Sequence, residues 1–509
     1  MGKNIAKAAG LLLMINICVK LLGFVREMAI ADGFGASSAS DAYLVAYTVP
    51  YFLQTILGYA FVSAVLPVFS GLWDAEESRA EANRLGSSLI NIVGAAMLML
   101  SLIGVAAAPV LVRLTAPGLA VETAELAIRL TRVMIPSLFF MSVGLVISGI
   151  LNSRYRFAAA ALAPGIAALG VIVSAWLADG NIYLVALGTL LGFVGSWLLQ
   201  AGDLAKSGFR YRLVLDAKHP AVRRVLRDVV PILLGLSVNQ LYTVLNRIFA
   251  SSLDAGSISA LNYANKLMNL PLGLFVAAII TAFFPALADL AQDAARERLA
   301  RAVSRGLAMC MLLVVPSALG LMLLDKPIIH LLFERGSFTA EATVVTAEAL
   351  FAMCPGLPFL AISMLLIRVF YAIGDVKTPL WTGGISILVN LLVSLIFVES
   401  GGHIALAWAN SAAAAANALL MAWALARRLP YLGRDLYRDL LLIAAAAVAM
   451  LLVLVIASQL QLFSAAVGKA GLLLQILLLI ALAAGVYFLA LRLCRCSALI
   501  DILGELRRK

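Results

Sequence analysis

Residues 133–140 read VMIPSLFF and residues 352–359 read AMCPGLPF. These apolar octets carry a proline at the same place, Pro136 and Pro355, which are 355 − 136 = 219 residues apart. That spacing far exceeds a solenoid period of about 20–50 residues and is long enough to hold half of a duplicated transporter. The offset persists on either side of the pair. Tyr43 answers to Tyr263, Pro50 to Pro271 and Pro67 to Pro285, at separations of 220, 221 and 218 residues. ILNSRYRFAAA, from Ile150, answers to VFYAIGDVKTP, from Val369. An even number of helices between equivalent positions makes the two halves parallel, related by an axis along the membrane normal.

The rest of the chain supplies the helices this requires. Mean hydropathy is +1.02, 63% of residues are hydrophobic and only 13% are charged, which places the chain among polytopic membrane proteins. Apolar runs of about 20 residues, enough to cross about 30 Å of hydrocarbon, recur throughout. They predict an all-α protein of about fourteen transmembrane helices: two pseudo-symmetric six-helix lobes and two extra C-terminal helices. The boundaries expected are 1–205 for the first lobe, 206–228 for a basic linker, 229–428 for the second lobe and 429–509 for the last two spans and a basic tail. Period-2 patterning of a barrel is absent, and the first span is too long and too charged for a cleaved signal peptide.

A net charge of +11 raises the question of nucleic acid, which the distribution of that charge answers. Basic residues gather on alternate loops, as in KSGFRYRLVLDAKHPAVRRVLRD from Lys206 and RERLARAVSR from Arg296. The opposite loops, such as ADGFGASSAS, ADGN, SSLDAGS and ESGGH, contain no Lys or Arg. The positive-inside rule then puts both termini in the cytoplasm, in agreement with an even number of spans. The charge is a topology signal, and no nucleic-acid partner is expected. The five cysteines and three histidines form no ligand spacing, so neither a disulfide framework nor a metal site is expected.

Ionisable residues inside the spans are the candidates for function, since each costs about 2.5–3.5 kcal/mol at the bilayer centre on insertion scales. Arg26 and Glu27 are adjacent, about 100° apart on a helix, and are expected not to pair. Lys20 lies about 10.5 Å along the axis from Glu27. Arg26 is therefore expected either to snorkel or pair with Asp41, or to form the cationic wall of a cleft. Lys266, in NYANKLMNLP, is its counterpart in the second lobe. Arg247 and Arg368 are weaker candidates because each lies near a predicted helix end. A cation or drug antiporter would bury carboxylates, whereas an excess of buried cations suits an anion, and a guanidinium fork suits phosphate. Asn239, Asn390 and Asn410 are expected to bond neighbouring helices rather than hold an ion.

KLLGFVREMAIADGFGASSASDAYLVAYTVP, LNYANKLMNLPLG, ERGSFTAEAT and RVFYAIGDVKTP resemble the MurJ (MviN) peptidoglycan lipid II flippases of the MOP (multidrug, oligosaccharidyl-lipid and polysaccharide) exporter superfamily. The resemblance runs from the first span through the twelfth. It implies that Arg26, Lys20 and Lys266 line a central cavity receiving the diphosphate of undecaprenyl-linked lipid II. Asp41 and Glu27 would be cavity or gating residues, and the last two spans a groove for the lipid tail. One stretch departs from the family. After Pro50 the family carries paired arginines, and here Gln54 and Thr55 stand in their place.

The resemblance thus implies a flippase of the bacterial plasma membrane that moves lipid II outward by alternating access. Its expected partners are the lipid substrate, the bilayer and the cell-wall synthesis machinery. The lost arginines keep a second reading open, a flippase for another polyprenyl-linked oligosaccharide. A polyprenyl-phosphate transferase would want acidic metal ligands, and the short loops offer none. No cofactor is expected and no phosphate-binding GxxxxGK[ST] loop occurs. Coupling would come from the membrane potential, about 2.3 kcal/mol per charge per 100 mV, or from a cation.

Overall fold

A computed structural model describes residues 2–69, 72–73, 76–292, 296–429, 434–459 and 468–501. The basic tail, 502–509, lies outside the described residues, as does the side chain of Asn239. Two compact units emerge, Met1–Ser259 with Arg335–Thr339, and Ala260–Glu334 with Ala340–Lys509. All regular elements among the described residues are helical, as backbone in hydrocarbon requires.

The first unit contains α1 (Gly2–Phe34), α2 (Ser38–Phe69), α3 (Glu76–Thr115), α4 (Val121–Met134), α5 (Ser137–Ser153), α6 (Ala158–Leu177), α7 (Ile182–Lys206) and α8 (Pro220–Ala250). Its core joins Phe61, Val65 and Phe69 of α2 to Leu89 of α3 and Ile150 of α5. Small residues let α6 and α7 approach closely: a Cβ at Gly170 would lie 2.6 Å from Cα of Gly192. Such contacts drive helix association in lipid, where burial of apolar surface gives no net gain.

α9 (Ser257–Pro271) opens at the boundary between the units. The second unit continues with a π-helical turn at Leu272–Val276, α10 (Ala277–Gln292), α11 (Arg296–Leu323), α12 (Asp325–Leu332), α13 (Ala340–Met353), a 3₁₀ turn at Cys354–Gly356, α14 (Leu357–Ala372), α15 (Lys377–Arg428), α16 (Arg434–Gln459) and α17 (Gly468–Leu493). α15 is two helices meeting at Gly402, whose backbone (φ 52°, ψ −135°) is not helical. Only glycine tolerates such a conformation without strain.

The two proline octets do the same thing in each unit. α4 and α5 meet at Ile135–Pro136 with a bend of 42°, and α13 and α14 meet through the 3₁₀ turn that contains Pro355. A proline inside a helix removes one hydrogen bond and clashes with the preceding turn. Farther on, each unit closes α5 or α14 with one bond pattern. Arg156 N donates to Leu151 O (3.0 Å), and Asp375 N donates to Phe370 O (2.8 Å). Left-handed residues, Tyr155 (φ 58°) and Gly374 (φ 77°), sit at equivalent places in these caps.

Each of these turns is tied to the end of a later helix by an ion pair, with the signs exchanged. Arg156 pairs with Asp203 of α7, whereas Asp375 pairs with Arg428 of α15 at 2.6 Å. Burial would raise the Asp375 carboxyl, but hydrogen bonds from Thr378, the Arg428 charge and the N–H of Lys377 outweigh it, and the group is held below its usual range. Arg154, beside Arg156 in the first unit's turn, lies over the Trp73 ring at 4.4 Å. Its guanidinium is lowered by burial and by the neighbouring Arg156 and Arg79.

Ten helices among the described residues are long and apolar enough to cross a membrane, or eleven when α4 and α5 form one span. That is fewer than the fourteen expected, for identifiable reasons. α15 takes in two expected spans, and those over 7–31 and 229–251 run across residues whose side chains lie outside the described set. α12 has no counterpart in the sequence reading, which placed a loop there.

Candidate functional site

The charged residues of α1 and α2 meet in the first unit. Arg26 and Glu27 occupy the last third of α1, and Nη2 of Arg26 lies 2.5 Å from Oε1 of Glu27. The expectation that these neighbours do not pair is corrected here. A 100° separation bars straight side chains, but an arginine is long enough to fold around the helix surface onto the next residue. Glu27 is 2% exposed and Arg26 19%, so the pair is largely withdrawn from solvent and lipid.

α2 presents tyrosines to this pair at helical i, i+4 spacing. Tyr43 and Tyr47 stack at 6.2 Å with rings 3° apart, and Tyr51 follows at 5.8 Å from Tyr47. The Arg26 guanidinium lies 5.5 Å from the Tyr47 ring centroid, a cation–π distance. Tyr43 is anchored by a 2.9 Å hydrogen bond between its hydroxyl and Thr189 Oγ1.

Asp41, two residues before Tyr43, is buried and hydrogen-bonded through both of its oxygens. It accepts from Gly256 N (2.7 Å), Ser259 N (2.8 Å) and Ser259 Oγ (2.5 Å). It therefore caps the start of α9, where free N–H groups and the helix dipole favour a carboxylate. Gly256 makes the approach possible. Its φ is +90°, and a Cβ there would stand 2.4 Å from the carbonyl oxygen of Ala36.

Arg247, near the end of α8, is turned inward. Its Nη1 is buried and has no hydrogen-bond partner among the described residues, and it lies within electrostatic reach of Asp41, Glu27 and Tyr51. The expected site thus gains a second arginine, and its charges balance: Arg26 and Arg247 against Glu27 and Asp41. Gln54 is half-buried, and the Thr55 hydroxyl is spent on the carbonyl of Tyr51 at 2.9 Å. Lys20 is exposed on α1.

In the second unit Lys266 is half-buried on α9, and Arg368 is exposed one turn from the end of α14. Asn390 donates to Asn410 at 3.1 Å, a helix-to-helix bond. Among the described residues no three of His, Cys, Asp or Glu gather as a metal site would need. An apolar groove of about 350 Å³ runs between α11, α16 and α17, lined by Pro316, Leu324, Met450, Leu454 and Ala483. Tyr487 closes its floor, donating to Leu312 O at 2.9 Å.

Residues 30–487 match the profile of the family described as Lipid II flippase MurJ. The chain belongs to the MurJ lipid II flippase family. It is 31% identical over 420 residues to the lipid II flippase MurJ of Burkholderia cenocepacia, covering 80% of this chain and 81% of that one. It is 30% identical over 441 residues to the probable lipid II flippase MurJ of Vibrio cholerae, covering 82% of each. A solved MurJ structure in an inward closed conformation superposes with a TM-score of 0.79 at 27% identity, covering 94% of this chain and 99% of that one. An inward-facing MATE multidrug transporter of the MOP superfamily shares the fold, with a TM-score of 0.68 at 17% identity, over 82% of this chain and 98% of that one. The chain is thus a multi-pass membrane transporter of bacterial MurJ type.

Sequence reasoning missed the tyrosine ladder, the capping role of Asp41 and the inward turn of Arg247. The ladder had a signal, since Tyr43, Tyr47 and Tyr51 are spaced four apart. The other two depend on segments distant in sequence and left none.

Proposed function

We propose that this protein moves the undecaprenyl-diphosphate-linked peptidoglycan precursor, lipid II, from the inner to the outer leaflet of the bacterial plasma membrane by alternating access. The observation that carries this reading is the family match over residues 30–487. Fourteen spans follow when α15 counts as two and α1 and α8 are added. They make two six-helix lobes, 1–205 and 229–428, joined by the linker 206–228 and followed by α16 and α17, with both termini cytoplasmic.

Arg26, Lys20 and Lys266 are the basic contacts for the diphosphate, with Arg247 in support and Arg368 as a peripheral cation. Glu27 holds Arg26 until a phosphate competes for its fork, which donates two parallel hydrogen bonds to such an oxyanion. Asp41 keeps the start of α9 in place. The groove of α11, α16 and α17 takes the polyprenyl tail. Outward transfer of the anion is favoured by a cytoplasm-negative potential, about 2.3 kcal/mol per charge per 100 mV if the charge crosses the full field. The wall-synthesis machinery supplies and consumes the lipid.

Complementation is the test. The gene is expected to sustain a cell depleted of its lipid II flippase. Failure with good membrane expression overturns the lipid II assignment and favours another polyprenyl-linked oligosaccharide, a reading supported by the neutral Gln54 and Thr55.

A further inference from the structure

The chain leaving α7 does not hang free. Phe209 packs its ring where Gly86 of α3 lacks a side chain: a Cβ there would come within 2.8 Å of it. The next residues run along α3, clipped by a row of polar side chains. Arg210 N donates to Asn83 Oδ1 (3.1 Å), Arg212 N to Ser87 Oγ (3.0 Å) and Asp216 N to Ser88 Oγ (2.8 Å). Asn91 Nδ2 donates to the carbonyls of Arg212 and Val214, and the Tyr211 hydroxyl to Asn91 Oδ1 at 2.5 Å. Arg84 holds Asp216 at 2.8 Å.

Side chains alternate along this strap, and the alternation separates two chemistries. Tyr211, Leu213 and Leu215 border an apolar groove of about 600 Å³, whose other walls include Leu98 of α3, Phe139 of α5 and Trp197 of α7. Leu213 is 87% exposed and Leu215 69%, an unfavourable display to water. Arg210 and Arg212 alternate with them, exposed and with no ion pair among the described residues. Along α3 the groove extends from Ile90 to Leu98, about 12 Å at 1.5 Å per residue. That approaches half of the roughly 30 Å hydrocarbon core, the depth of one leaflet.

We propose that the strap 208–216 and this groove form a binding site for an anionic phospholipid of the leaflet on the side of the basic loops. An acyl chain lies along Gly94, Leu98 and Trp197, and the phosphate sits at Arg210 and Arg212. The site takes a resident membrane lipid and is distinct from the groove of α11, α16 and α17. Basic residues at an anionic leaflet attract it by about 1 kcal/mol each, so two arginines give a preference on the order of tenfold or more over a zwitterionic lipid.

The test reconstitutes the full chain in phosphatidylcholine vesicles titrated over the same range of mole fractions with either brominated phosphatidylglycerol or brominated phosphatidylcholine. Trp197 emission is taken as the difference between the chain and its Trp197→Phe variant. Phosphatidylglycerol is expected to quench at a mole fraction on the order of tenfold lower. Arg210→Glu/Arg212→Glu is expected to abolish that preference, and Arg210→Lys/Arg212→Lys to keep it. Ala95→Phe, which fills the groove from α3, is expected to relieve quenching by both lipids with the arginines intact. Equal quenching by the two lipids, or a preference that survives charge reversal in a protein of unchanged melting temperature, overturns the proposal. Should the charge-reversed protein fail to fold, the Ala95→Phe variant decides: unrelieved phosphatidylglycerol quenching in it overturns the site.

Discussion

At the scale of single residues, Arg26 carries most of the consequence. It is not a lone cation, because Glu27 lies 2.5 Å away and is itself buried. Arg26→Ala removes that guanidinium from a buried carboxylate, which costs about 3 kcal/mol or more. The single variant is expected to melt early in detergent. Arg26→Ala/Glu27→Ala is expected to recover most of the melting temperature and still fail to flip lipid; normal translocation by this double variant would remove Arg26 from the substrate path. Asp41 gives a different outcome. Its three hydrogen bonds cap the start of α9, so Asp41→Ala is expected to lose about 2 kcal/mol of stability. Asp41→Asn, which retains one acceptor oxygen, is expected to lose less by the same thermal assay. Arg26 is legible as a candidate because an arginine in an apolar run is rare; its Glu27 partner is not, because helical angle alone does not report how far an arginine side chain reaches.

At the scale of elements, the turns after α5 and α14 are built alike and fastened by ion pairs of opposite sense. Arg156→Asp and Asp203→Arg are each expected to lower the melting temperature, and the double exchange, which copies the sense of the second unit, is expected to restore it. A double exchange no more stable than either single change would show the pair to be idle. The Asp375 pair adds a pH dependence with a definite sign. Its carboxyl is depressed in the folded chain, so its contribution is fully present above the unfolded value near 3.9 and is lost as pH falls through the folded one. The melting-temperature gap between the chain and Asp375→Asn is therefore expected to close below about pH 4. A gap that persists under acid would refute the charged role of Asp375. The repeated proline octets were readable as breaks, because proline acts locally. The opposed ion pairs were not, since Asp203 and Arg428 lie 47 and 53 residues from their partners.

At the scale of the whole molecule, topology is the property that the basic loops predict. A cysteine introduced at Ala217 is expected to react with an impermeant reagent only from the cytoplasmic side, and one at Asp254 only from the opposite side. Labelling of both from one side would break the proposed fourteen-span order, and labelling of each from the wrong side would invert it. The family match runs from the end of α1 into α17, over residues 30–487, and it fixes the transport class more firmly than any individual charge does.

Composition and the alternation of charge determined on their own that this is a helical, multi-pass membrane protein, and the 219-residue offset between Pro136 and Pro355 placed a break at the same point of each proline octet. Such signals are local or periodic, and the bilayer enforces them on every segment alike. Tertiary structure alone decided that Arg247 turns inward, that Asp41 is consumed in capping α9, and that residues 208–216 lie clipped along α3 rather than loose. Each depends on groups more than a hundred residues apart, within electrostatic reach for Arg247 and Asp41 and at hydrogen-bond distance for the other two, as Asp41 and Gly256 are at 2.7 Å. Helix packing sets such distances, and no periodicity along the chain encodes them.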